Sequence, residues 1–185
     1  MFRIDFRITD NGEWLQNLSA KDFDKDGSGI AGYFQLTIGG STHGYCHFRP
    51  LQEGELGDTW IDTWIDSLLL TLIHLPQTGY AAFRDVETRG VWIEAKGSEK
   101  DNVTISVANQ VSVPEKEGHY EVFITRPIVD FCYDKILSTT VSFDVFKTEI
   151  IDNAVAFVEQ VKTLNSNLIS SMRISVLNER INEIR

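Results

Sequence analysis

Cysteine is scarce in this chain. Its two residues, Cys46 and Cys132, cannot build a disulfide framework; one bridge is open to them, and the count suits a reducing compartment at least as well. Cations are short too: 17 Lys+Arg stand against 27 Asp+Glu, for a net charge of −10. Neutralising phosphates takes clustered Lys and Arg, so the balance argues against a nucleic-acid partner and against docking on an anionic membrane. The densest apolar run, Leu68 to Leu75, is broken by Thr71 and His74. It falls far below the ~20 residues of a membrane span. The segment from Met1 to Ile8 carries charges inside its apolar pattern and lacks the apolar stretch and cleavage site of a signal peptide. Together these features set the expectation of a cytoplasmic protein. The local signatures of catalysis are missing as well: no G-x-S-x-G, H-E-x-x-H, G-x-x-x-x-G-K-[ST] or C-x-x-C occurs. A non-enzyme without a cofactor is expected.

What is present suffices for a core. The 185 residues are 42% hydrophobic and 24% charged, close to globular averages. At that size roughly 70% of the unfolded surface can be buried without staples. Phe2, Ile4, Phe6 and Ile8 alternate with Arg3, Asp5 and Arg7, a period of two that marks a half-buried strand. Residues 10–31 are acidic and turn-rich, and Tyr33 to Ile38 reads as a second strand ended by Gly39-Gly40. Tyr45 to Phe48 reads as a short third, stopped by Pro50. Between about 56 and 75, Trp60, Ile61, Trp64, Ile65, Leu68, Leu69 and Leu72 recur at helical spacing, with Pro76 closing the helix. Tyr80–Val86, Val91–Ala95, Val103–Val107 and Tyr120–Thr125 return to strand patterns. In the C-terminal third, Ile150, Ala154, Phe157, Val161, Leu164 and Leu168 form a heptad-like seam, broken near Asn165-Ser166-Asn167. Such a seam is more often an amphipathic helix packing on its own sheet than a coiled coil. The order predicts one α+β domain over 1–185. Residues 1–126 hold a largely antiparallel sheet and its central helix, and about 142–185 are helical. Monomer and dimer both stay open.

Several short motifs compete for a function. Gly27-Ser28-Gly29-Ile30-Ala31-Gly32 fits G-x-G-x-x-G in letters, but Asp22, Asp24 and Asp26 precede it and a strand-like segment follows. A dinucleotide needs the reverse order and a positive approach. Asp24, Asp26 and Ser28 open like an EF-hand loop, yet Gln35 stands where the bidentate Glu belongs. His43 and His47 would share one face of a strand and Cys46 the other, so three ligands do not converge. No metal is therefore expected. The alternatives kept open are a small metal-dependent hydrolase using the Asp22/Asp24/Asp26 loop or the His43/His47 strand, and an oligomeric adaptor joined through the C-terminal helices.

The central helix is more informative. Its apolar residues gather on one side, while Asp58, Asp62 and Asp66 fall four apart along one edge, with Glu53 and Glu55 just upstream. Like charges at that spacing repel by a few tenths of a kcal/mol per pair, so an acidic strip there suggests a waiting cationic partner. Trp60 and Trp64 are expected to anchor the helix on the sheet, or else to serve as interface hot spots.

The Phe2–Ile8 strand, the Gly32–Ile38 segment, the Trp- and Leu-rich helix Trp60–Leu75 and the strand pair Tyr80–Ala95 together resemble bacterial immunity proteins. These are the partners of polymorphic or contact-dependent growth-inhibition toxins. The resemblance covers about residues 2–107 and lies in layout, size and acidity; no functional residue is carried over. It implies binding to a cognate toxin domain in the cytosol, typically a basic nuclease, and blockade by steric and electrostatic means. In that picture Glu53, Glu55, Asp58, Asp62 and Asp66 are the toxin-binding candidates. Long-range attraction would speed the encounter.

Overall fold

The structure, a computed structural model, describes residues 1–9, 13–27, 29–52, 55, 57, 59–98, 101–111 and 122–185; the side chains of 13 and 134–136 also lie outside it. The elements run β1 (Phe2–Ile8), α1 (Glu13–Asn17), α2 (Ala20–Asp26), β2 (Ala31–Ile38), β3 (Ser41–Tyr45), β4 (Thr59–Trp60), α3 (Ile61–Thr78) and β5 (Tyr80–Arg84). They continue with β6 (Val91–Ser98), β7 (Asn102–Gln110), β8 (Phe123–Ile124), β9 (Phe131–Ser142), α4 (Phe143–Leu164), a 3-10 turn at Ser166–Ser170 and α5 (Met172–Ile184). This is the expected α+β fold, with antiparallel sheets and C-terminal helices.

The N-terminal alternation does what its period demands. β1 pairs antiparallel with β2, from Phe2 opposite Ile38 to Ile8 opposite Gly32. That register puts Phe2, Ile4 and Phe6 on one face with Ile38, Leu36 and Phe34, all buried, while Arg3, Asp5 and Arg7 face the other way. Gly32 is obligatory here, because a Cβ would overlap the Arg7 carbonyl oxygen. The free side of β2 takes β3 along Phe34–Ile38 and the short β4 at Ala31–Gly32. The expected Tyr45–Phe48 strand thus lies earlier, at Ser41–Tyr45, because its pairing is set by the Gly39-Gly40 hairpin.

The second sheet is ordered β8-β5-β6-β7-β9 and is antiparallel throughout. Phe83, Ile93, Ala95, Val103, Ile105 and Val107 join the main core, and the opposite face carries a smaller cluster around Tyr80, Trp92 and Ile124. α3 lies against both sheets, stacking Trp64 on Phe34 at 4.8 Å and meeting Phe83 edge-on at 5.8 Å. Pro76 does not end α3, which runs to Thr78 and closes at left-handed Gly79. In the last turn its missing N–H forfeits a single helical bond.

α4 starts at Ser142, whose hydroxyl accepts from the Val145 amide. Its seam packs on the chain's own strands: Phe146 touches Phe2 (4.9 Å) and Phe157 touches Phe6 (5.9 Å). The break at Asn165 has a cause, since its side-chain amide donates to the Leu15 and Leu18 carbonyls and its oxygen accepts from Asn167. α5 then buries Ile174, Leu177 and Ile181.

Candidate functional site

The acidic edge of the central helix has its cations at home. Glu53 and Asp58 lie outside the described residues. Asp62, expected on an open strip, is only 4% exposed: one oxygen accepts from the Ile30 amide at 2.8 Å and the other meets Arg173 at 3.0 Å. Burial pushes its carboxyl above the usual carboxylate range, against the pull of the Ile30 amide and Arg173. Arg173 also donates to the Gly27 carbonyl at 2.7 Å, and Asp66 pairs with Arg180. Asp62 and Asp66 are therefore the seam between α3 and α5, not a solvent-facing strip. Their arginines stand 111 and 114 residues further along, beyond the reach of any i,i+4 reading.

Glu55, the remaining candidate, organises a loop. One oxygen takes Tyr33 Oη (2.9 Å), His47 Nε2 (2.9 Å) and Arg49 Nη2 (2.7 Å); the other takes Arg49 Nη1 and the Gln52 amide, both at 2.8 Å. The Arg49 guanidinium above all, then the Gln52 amide, hold its carboxyl down to about 2. From below, Arg7 donates to the carbonyls of His47 and Arg49, while Gly57 donates its amide to Thr9 Oγ1 at 2.7 Å. Gly44, at φ 77°, breaks the strand alternation, so Tyr45, paired opposite Phe34, turns its ring onto Tyr33 at 5.7 Å. Of the loop after β3, His47, Arg49, Gln52 and Gly57 are thus tied through their backbone groups, while Tyr45, Phe48 and Trp60 are 53%, 71% and 41% exposed. The two tryptophans separate: Trp64 is buried and donates to Thr59 Oγ1, whereas Trp60 faces solvent as the residue before α3. The sequence signal for this loop was the run of aromatics and charges from 45 to 60, which lacks any periodic pattern.

The metal and cofactor motifs do not assemble. Asp24 and Asp26 sit on α2 rather than in a loop; Gly27 caps that helix, and a strand follows. Asp24 instead accepts the Met172 amide at the start of α5. His43 turns to Asp85 (2.5 Å), tying the first sheet to the end of β5, and His47 turns to Glu55. Among the described residues no group of three His, Cys, Asp or Glu could hold a metal ion. Burial, then the Asp5 charge, push the Cys46 thiol up to about 11, leaving it protonated and unreactive at neutral pH.

With Asp62 and Asp66 turned inward, the exposed acids lie elsewhere. On the outer faces of the helices these are Asp22 and Asp26 of α2, Asp144, Asp152 and Glu159 of α4, and Glu179 and Glu183 of α5. The exposed helical cations are Lys21, Lys25 and Lys162. No helix among the described residues is long and apolar enough to cross a membrane. No family model, characterised protein or solved structure matches this chain.

Proposed function

We propose that this chain is an immunity-type protein, acting in the cytosol, that captures a basic toxin domain and blocks it by covering its working surface. The observation that carries this reading is the placement of the negative surplus. The internal ion pairs consume Asp62 and Asp66, and the carboxylates left exposed on the outer faces of α4 and α5, Asp144, Asp152, Glu159, Glu179 and Glu183, stand against the exposed Lys162. A negative excess of that kind would speed encounter with a cationic protein and disfavour nucleic acid. The layout that resembles immunity proteins supports the same reading. Within it, Asp62 and Asp66 act indirectly, by fixing α5 and with it part of the acidic face; direct contacts fall to the surface.

The proposal expects the neighbouring reading frame to encode a large secreted protein, and the test is co-expression with that protein's C-terminal domain. Survival of the cells and a co-purifying complex whose association slows steeply between 50 and 200 mM salt are expected. Unprotected cells, together with no complex at low salt, refute the proposal.

A further inference from the structure

We infer that the cavity where α3 ends against the β6–β7 hairpin is a binding site for a small organic amine, a ligand with an apolar body and a single ammonium head. The site is independent of the proposed capture of a toxin and needs no protein partner. Its volume is about 400 Å³, inside the ~300–1,000 Å³ range of small-ligand sites. Leu75 and Pro76 of α3, Val103 of β7 and Phe143 at the start of α4 supply apolar walls, and Leu75 and Val103 are themselves buried. Asp101 and Asn102 stand at the hairpin side of the same cavity.

The frame of the cavity is tied together through backbone bonds. The Gly97 amide donates to the Gly79 carbonyl at 2.9 Å, joining β6 to the cap of α3, and the Phe143 amide donates to the Asp101 carbonyl at 2.7 Å, joining α4 to the hairpin. A ligand therefore meets a site that is largely pre-formed. Asp101 is the non-glycine residue with positive φ among those described, at 57°, a conformation that Asp adopts more readily than most. Its carboxylate is the charge in the described lining, and no described residue pairs with it. α3 adds to the negative potential, because its C-terminal end carries the partial negative charge of the helix dipole and its last turn holds no basic residue. α4 begins at the cavity with the opposite sign, which Asp144 in its first turn answers, and Lys147 is engaged at the Ile184 carbonyl at 2.7 Å. An anionic ligand is thus repelled, and a neutral one leaves Asp101 unused. A bare metal ion would find a single carboxylate and leave the apolar walls uncovered. An ammonium at Asp101, with its apolar body over Leu75, Val103 and Phe143, uses both halves of the cavity.

The experiment titrates the full chain with phenethylamine, 2-phenylethanol and phenylacetate, which share one apolar body and differ in charge, and follows backbone amide resonances by NMR. Phenethylamine should shift the Gly79, Gly97 and Val103 amides saturably, with a Kd on the order of 1 mM. The alcohol should bind about threefold more weakly, the worth of one exposed ion pair, and the acid more weakly again. Asp101→Asn keeps a residue that accepts positive φ, so it should hold the wild-type melt, bind the amine about threefold more weakly and leave the alcohol unaffected. Asp144→Asn, an exposed acid outside the described lining, should match wild type for all three probes. The inference is overturned if no shift at those amides saturates by about 20 mM, or if the amine, alcohol and acid bind alike. It is equally overturned if Asp101→Asn keeps the full preference for the amine, or if Asp144→Asn loses it to the same extent, which would make the preference a property of the general surface charge. Should Asp101→Asn melt early, the charge series on wild type still decides. None of these results bears on the toxin test.

Discussion

Replacing Arg173 by methionine removes the cation facing Asp62 while keeping most of the side-chain length that packs beside α3. Asp62 is 4% exposed, so the variant leaves a buried carboxylate held only by backbone amides, that of Ile30 first. Breaking one side of a buried pair costs about 3–5 kcal/mol. Arg173 is 35% exposed and admits water to the pair, which places the expected loss near the low end, about 3 kcal/mol. For a chain of this length that is a fall in Tm of roughly 6–12 °C. The loss should depend on pH in a definite direction. Burial already raises the Asp62 carboxyl above its unfolded value, so its contribution to stability is full at low pH and is lost as pH climbs through the folded pKa. Without Arg173 that folded pKa moves higher still. The variant's deficit should therefore be small near pH 4, where the carboxyl takes a proton, and full at pH 8. A residue of about 1 kcal/mol should persist throughout from the lost bond to the Gly27 carbonyl. Urea unfolding across this range measures it, with Asp62→Asn/Arg173→Met expected to flatten the pH dependence. A deficit under ~1 kcal/mol at pH 8, or one equal at pH 4 and pH 8, would refute the reasoning.

Three further outcomes can be checked together. Phe157→Ala empties a fully buried site against Phe6 and should cost about 3–5 kcal/mol in urea unfolding; a loss below ~2 would mean that α4 does not pack as described. Glu55→Gln should release the loop clamp. In wild type the Gln52 amide resonance should shift as pH falls from about 4.5 to about 2, because a depressed carboxylate loses its contribution in that window. In the variant it should sit at the released position at every pH. On the proposed function, neutralising Asp144, Asp152 and Glu159 to their amides should slow association with the toxin domain at low salt with Tm nearly unchanged, since all three are exposed. An unaltered rate would move the guiding field away from α4.

The parts of the fold legible in the sequence are those where one face is buried and the pattern is local. β1 announced itself by alternation, α3 by its apolar stripe, and the α4 seam by a four-three spacing that turned out to rest on Phe2 and Phe6 of the same chain. Two kinds of element escaped. α1 and α2 are 5 and 7 residues long, too short for a periodic signal, and are held by the distant Asn165 and Met172. β9 runs for 12 residues and presents Ser138 and Thr140 to the polar face of β7, so its pattern does not read as a strand. The site failed for the same reason as the short helices. Acidic residues four apart on α3 are visible locally, whereas the arginines that answer them arrive with α5. Glu55, by contrast, was singled out for its charge and owes its role to neighbours on β2 and in its own loop.

On the proposed capture of a basic partner, electrostatics and packing would divide the work of recognition. Charges on α4 and α5 would act through the Debye length of about 8–10 Å and set how often such a partner arrives. They are hydrated and would gain little when covered, so they would not keep it there. Retention would require desolvated area with fixed geometry. Were affinity instead carried by Asp62 and Asp66, a partner's cations would have to displace Arg173 and Arg180. That exchange returns one ion pair for each one broken, and at Asp62 it must bring the new cation to a carboxylate that is 4% exposed. It therefore gains little net free energy. Those two carboxylates serve to tie α5 to α3 rather than to wait for a partner.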